Sequence, residues 1–154
     1  MKNLRQSFKS LTAIVLLTLI INKSMEAQTT NNATKTKLLI HVTVGPENPT
    51  KAALAFLVAK TAVEEGHTVT LFLAGDAVQL IRDNVLDNLT GLGTGKLREH
   101  YDALVKAGVH FYLSGNSSKA RGITDADIAN KPVSFALPNV LVKLITESDR
   151  NITY

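Results

Sequence analysis

Leu38-Leu39-Ile40-His41-Val42-Thr43-Val44-Gly45-Pro46-Glu47-Asn48-Pro49-Thr50 is the stretch that decides the fold. Its first seven residues are apolar almost throughout, the composition of a strand covered on both faces, as in a parallel sheet. Gly45-Pro46 ends the strand. Asn48 suits a helix N-cap, and Pro49 suits the first helical position, where its missing N–H costs nothing. The spacing predicts a helix from Pro49 to about Glu65, stopped by Gly66. A strand feeding directly into a helix is the repeating unit of α/β proteins.

The unit recurs downstream. His67–Leu73 reads as a second strand, and Asp76 as the cap of a short helix over Ala77–Arg82. Asp83–Gly95 reads as irregular. Lys96–Ala107 is a predicted helix with Leu97, Tyr101, Leu104 and Val105 on one face, stopped by Gly108. Val109–Leu113 is a third strand. Thr124 and Asp127 form a capping pair for a short helix. Val133–Ala136 is a short strand, Pro138 opens a last helix to about Glu147, and Arg150–Tyr154 is a closing strand. The fold class is therefore α/β, with a mainly parallel sheet and helices on both faces.

The first 36 residues carry a different signal. Lys2, Arg5 and Lys9 precede an apolar run, Leu11–Ile21, with Ala27 as a cleavage residue. The run has the length of a signal-peptide core and falls short of the roughly 20 residues that a spanning helix needs. Residues 1–27 are read as a signal peptide, 28–36 as a polar, flexible spacer and 37–154 as one domain. This predicts an exported protein, periplasmic in a bacterium, with no stable membrane span after cleavage. The competing reading is an uncleaved anchor, and the short run weighs against it. The chain has no cysteine, so it cannot carry the thioether-linked lipid of a lipoprotein. It cannot form disulfides either, and export leaves the domain to be held by its core alone.

Charge excludes one class of partner. Four of the seventeen Lys and Arg residues (Lys2, Arg5, Lys9, Lys23) and one of the thirteen acids (Glu26) precede Gln28. Residues 28–154 then carry thirteen basic and twelve acidic side chains, a net charge of +1. That balance gives no basis for binding nucleic acid.

In open α/β sheets ligands bind outside the carboxyl ends of the strands. That rule gathers three loops on one edge: Gly45–Thr50, Ala74–Asp76 and Ser114–Gly122. The last reads Ser114-Gly115-Asn116-Ser117-Ser118-Lys119-Ala120-Arg121-Gly122. Its backbone N–H groups can form an anion-binding concavity, with Lys119 or Arg121 adding charge. The candidate ligand-binding residues are Ser114, Gly115, Asn116, Ser117, Lys119 and Arg121, with Glu47 and Asn48 from the first loop. The alternative is a tight turn whose side chains bond their own backbone while Arg121 sits in an ion pair. Both readings stand at this level.

Catalytic and metal readings are weaker. Ser114 lacks the Gly-x-Ser-x-Gly frame of a nucleophile elbow, and only His41 of the four histidines (His41, His67, His100, His110) could approach it as a base. No histidine or carboxylate spacing matches a metal site, and no cofactor motif is present. Gly91–Lys96 fails the phosphate-loop test, with Thr90 where a glycine is needed and Leu97 where Ser or Thr is needed. It is read instead as a flexible loop that could serve as a flap over the site. The helix from Pro49 is apolar all round, through Ala52–Ala59, which predicts burial of a second face, either in an oligomer interface or under the chain's own loops.

Three segments together carry a family resemblance: Ile40–Glu47, Gly66–Val78 and, above all, Phe111–Ile123, with Asp149-Arg150 before the final strand. Over residues 37–154 the chain resembles the DsrE/DsrF-like family of sulfur-relay and sulfur-oxidation subunits. The resemblance implies a three-layer α/β/α sandwich with a five-stranded parallel sheet, and homo-oligomers that are trimers or hexamers. It also implies that sulfur-transferring members hold a persulfide-carrying cysteine at the end of the third strand. Ser114 occupies that position here. A hydroxyl cannot hold sulfane sulfur as a thiolate does, so the sequence predicts family fold and assembly without sulfur transfer. The expected function is binding of a small polar or anionic ligand, or a protein partner, at the Ser114 loop. The alternatives are a hydrolase with Ser114 as nucleophile and a purely structural interaction module.

Overall fold

The computed structural model describes residues 34–154. The expected signal peptide and most of the spacer lie outside the described residues. In chain order the elements are β1 (Lys37–Val42), α1 (Pro49–Glu64), β2 (Thr68–Leu73), a 3-10 helix (Gly75–Ile81), α2 (Asp83–Asn88), β3 (Thr90–Gly91), β4 (Gly95–Lys96), α3 (Leu97–Lys106), β5 (Phe111–Ser114), α4 (Gly115–Ala120), α5 (Asp125–Ile128), β6 (Val133–Ala136), α6 (Pro138–Glu147) and β7 (Arg150–Thr153). The main sheet has strand order β6-β5-β2-β1-β7, and all four pairings are parallel. The expected five-stranded parallel sheet is the one the chain forms.

Register divides the side chains between two faces. Ile40, Leu71, Phe111 and Val133 share one row. With Val42, Leu73 and Leu113 they meet α1, α3 and the 3-10 helix in the main core. Phe56 and Tyr101 converge on Phe111, with ring centroids at 5.9 and 5.3 Å. The alternate residues Leu39, Phe72 and Ala136 face the other way and meet Val140, Leu141 and Leu144 of α6.

Helix α1 begins as its sequence dictates. Asn48 is the N-cap and accepts from the Lys51 N–H at 3.1 Å, with Pro49 in the first turn. Gly66, with φ of +89°, ends it in the left-handed region that only glycine enters without strain. Ala52, Ala53, Ala55, Phe56, Ala59 and Ala62 are all buried within this one chain. Packing under its own domain thus accounts for most of the apolar surface of α1, and Leu54 and Leu57 stay half-buried.

Three local expectations are corrected. The helix after β2 is 3-10 and begins at Gly75; its N-cap is Ala74, and Asp76 makes no capping bond. The stretch read as irregular contains α2 and a small antiparallel hairpin of β3 and β4. That hairpin is tied down: Leu92 N–H donates to Thr50 Oγ1 at 3.0 Å, Thr94 Oγ1 donates to the Thr50 carbonyl, and His100 Nε2 meets the Thr94 carbonyl at 2.6 Å. Finally, the polar stretch after β5 is a helix, α4, across residues 115–120. The capping box of Thr124 and Asp127 forms as expected.

Candidate functional site

Strands β1, β2 and β5 end side by side, and the segments that follow them are knit together on that edge. Gly45 and Asp76 are in such close approach that a Cβ on Gly45 would lie 2.7 Å from both the Asp76 carbonyl oxygen and its Cβ. The Glu47 carboxylate turns back to accept from the Gly45 N–H at 2.8 Å. Gly75, at φ +56°, takes a left-handed turn that aims its N–H at Ser117 Oγ, 3.0 Å away. Arg121 Nε donates to Asp76 Oδ1 at 2.7 Å, and Arg121 Nη1 reaches the Ser117 carbonyl at 3.4 Å. The three loops gathered by the strand-end rule therefore do meet.

Within this ledge the side chains divide by role. Ser114 is the N-cap of α4, its Oγ accepting from the Ser117 N–H at 3.4 Å. The expected concavity of free N–H groups is replaced by the first turn of a short helix, because a serine after a strand caps better than it coils. Ser114, Gly115, Ser117 and Arg121 are half-buried; Asn116, Lys119, Glu47 and Asn48 are exposed. Asn48 is committed to capping α1 and Glu47 to its own loop. The ion pair of Arg121 with Asp76, 28% and 52% exposed, offsets the arginine charge locally. Lys119 is thus the cation of the ledge without a carboxylate partner. Ser118 is 2% exposed, and its Oγ has no hydrogen-bond partner.

A second layer of cations holds the ledge from behind. Arg82 Nη2 donates to the carbonyls of Arg121 (3.1 Å) and Gly122 (2.8 Å), while its Nε faces Asp127 at 3.4 Å. Lys131, with its side chain only 10% exposed, donates to the carbonyls of Ile81 and Asp127 and to Asp83. Hydrogen bonds from Arg98 and then Lys131 hold the Asp83 carboxyl below its usual range. The backbone N–H of Thr124 does the same for Asp127. Gly75 and Asp76 were expected on this edge with their loop, but neither they nor Arg82 were among the candidate ligand-binding residues. Asp76 lies three residues past the end of β2 and was read as a cap; nothing local marks Arg82, whose partners lie 39 and 40 residues away.

The geometry within one chain does not build a serine–histidine pair. His41, Phe72 and Tyr112 lie in one row across three strands, and Ser114 lies two residues further along β5. Two strand spacings and two residues of rise separate the Cα atoms of His41 and Ser114 by about 12 Å, beyond hydrogen-bond reach. His41 instead packs edge-on to Phe72, with ring centroids 5.9 Å apart, and burial pushes its pKa down. On the same edge, a cavity of about 400 Å³ is lined by Pro46, Pro49, Asn84, Val85, Asn88, Leu89 and Thr90. It borders the first loop and not the Ser114 helix. Among the described residues, no cluster of His, Asp and Glu could hold a metal ion, and no helix is long and apolar enough to cross a membrane.

Comparison with known proteins agrees with this architecture. The model of the DsrE/DsrF-like family matches residues 36–154. No curated protein matches the chain. Among solved structures, the ychN protein from E. coli superposes with a TM-score of 0.66 at 19% identity, covering 77% of this chain and 99% of its own. A conserved protein of unknown function from Bacteroides thetaiotaomicron gives 0.54 at 15% identity, covering 80% and 100%. A protein of unknown function from Methanobacterium thermoautotrophicum gives 0.56 at 14% identity, covering 78% and 100%. At these identities the structural likeness speaks to the fold alone.

Proposed function

From the premise that this chain belongs to the DsrE/DsrF-like family, we propose that it is an exported, self-assembling domain that binds a small polar or anionic ligand at the Ser114 ledge, without sulfur transfer. The observation that carries this reading is the bonding of the second and third strand-end loops to each other around Ser117 and Arg121, with the first loop packed against Asp76 at Gly45. That bonding supports a preorganised surface, which loses little freedom when a ligand binds. Asn116 and Lys119 stand exposed on it, an amide and an uncompensated cation. A carboxylate or a hydrogen-bonding small molecule suits those groups.

Two features of the sequence support the absence of sulfur transfer and the export. No cysteine is present at Ser114 or elsewhere, so the chain has no thiolate to accept sulfane sulfur. The basic and apolar pattern of residues 2–21, followed by Ala27, supports export with removal of the leader. Mass measurement of the protein recovered from its native compartment tests export: an N-terminus near Gln28 is expected, and an intact Met1 refutes cleavage. A thermal-shift screen tests the ledge, comparing the wild type with Asn116→Ala and Arg121→Ala. A ligand class that raises the wild-type Tm and has less effect on the variants is expected; equal response of all three refutes the site.

A further inference from the structure

Five large apolar side chains stand conspicuously exposed among the described residues, and four of them fall between residues 135 and 145: Phe135, Leu137, Val142 and Ile145. Phe135 shares a row with Leu113 and so belongs to the α1 side of the sheet. The other three belong to α6 and its N-cap. This helix has no fully buried residue. Val140, Leu141 and Leu144 rest on the sheet. At 100° per residue, Pro138, Val142 and Ile145 continue the apolar surface around the flank beside Leu141. The apolar arc of α6 spans about 200°, roughly twice what contact with one sheet requires.

We infer that this outer flank of α6 packs against the same helix of a second copy of the chain about a two-fold axis. The inference rests on the self-assembly proposed above and names the surface. Leu137 and Val142 are each 61% exposed and Ile145 41%. Val142 and Ile145 lie on the flank and Leu137 at its N-cap end, and such exposed apolar surface is what marks contact sites, a fitting centre for a standard interface of about 800 Å² per partner. A two-fold contact sets a surface against itself, so it must tolerate its own charges. Lys143 and Glu147 are the charged residues of α6; they stand 3.8 Å apart and cancel. A copy meeting this helix therefore faces no net like charge. A strongly charged partner would find no complementary charge on α6.

The surface also adjoins the ledge. Ala136 pairs with Ser114, and its carbonyl lies 3.5 Å from where a Cβ on Gly115 would stand. Leu137 is the next residue, so a copy seated there walls the ledge on its β6 side.

The test uses light scattering coupled to size exclusion, and the absence of native cysteine. The wild type is expected to be multimeric, and Val142→Glu to weaken self-association at least tenfold with an unchanged circular dichroism spectrum. Leu92→Glu, at a residue 89% exposed on the hairpin, is expected to assemble as the wild type does. Val142→Cys is expected to yield a covalent dimer on mild oxidation, which decides the matter even if Val142→Glu fails to fold. An assembled wild type whose Val142→Glu variant stays assembled and whose Val142→Cys variant stays uncrosslinked overturns this surface and leaves self-assembly standing. A monomeric wild type overturns both.

Discussion

Replacing Gly45 by alanine strikes the point where the first two strand-end loops touch. The new methyl group would lie 2.6 Å from Glu47 Oε2 and 2.7 Å from the Asp76 Cβ and carbonyl oxygen. The glutamate end is exposed and can swing away, at the cost of its bond to the Gly45 N–H. The Asp76 backbone cannot, because Ala74 N–H is bonded to Val42 and Gly75 N–H to Ser117. Overpacking against a fixed backbone costs about 1–3 kcal/mol, and the lost hydrogen bond adds about 1 kcal/mol. For an ordered domain of this size a total near 3 kcal/mol lowers Tm by roughly 10 °C. The assay is thermal unfolding with a urea titration at constant pH. Gly66→Ala serves as reference: its added Cβ meets nothing within 4 Å but sits at φ +89°, so it should cost only about 1 kcal/mol of backbone strain. Adding Glu47→Ala to Gly45→Ala should restore little, since the Asp76 contact remains. A Gly45→Ala protein melting within a degree of the wild type, or above Gly66→Ala, would refute the close approach and with it the rigidity assigned to the ledge.

Three further outcomes are expected. The pKa of His41 is lowered by burial, so the unfolded chain takes up its proton first as pH falls; His41 favours folding fully above about 6.5 and this contribution fades below it. Urea unfolding from pH 7.5 to 5.5 should show that loss in the wild type and less of it in His41→Gln; identical slopes would count against the burial of this ring. Lys131→Met removes the donor to the Ile81 and Asp127 carbonyls and should cost about 2 kcal/mol in chemical denaturation, whereas a neutral result would show the network to be dispensable. Ser114→Cys places a thiol at the N-cap of α4, a setting that favours thiolate. Its thiolate should take the outer sulfur of a low-molecular-weight persulfide and release the corresponding thiol, a gain of one sulfur atom by mass spectrometry, while the wild type gains none; sulfur uptake by the wild type contradicts the reading of Ser114.

The sheet was legible because its evidence is local. Apolar runs at Leu38–Val44 and His67–Leu73, the Asn48-Pro49 helix start and the Gly66 stop act within a few residues of themselves, and the order of elements then follows from α/β connectivity. The helix over Gly115–Ala120 was not legible: glycine and serine are poor helix formers, and what holds it is the Ser114 cap and the bond from Gly75, 42 residues away. The hairpin of β3 and β4 was missed because two-residue strands carry no period. At the site, the edge could be read from strand ends alone, and so could the helix-capping role of Asn48. The pairing of Asp76 with Arg121 could not, since a cap and an ion-pair partner look alike in sequence. The breadth of the apolar arc of α6 is visible in Pro138–Ile145, but which part the sheet covers is a fact of packing.

The Ser114 ledge is proposed to bind a ligand through Asn116 and Lys119, on a surface braced by Arg121, without a thiol. Thermal-shift screening of the wild type beside Asn116→Ala and Arg121→Ala tests it most directly, with small carboxylates and neutral polar metabolite analogues as probes. At least one class is expected to raise the wild-type Tm by several degrees and to do so less in either variant. Equal shifts in all three proteins, or no shift from any probe, would contradict it.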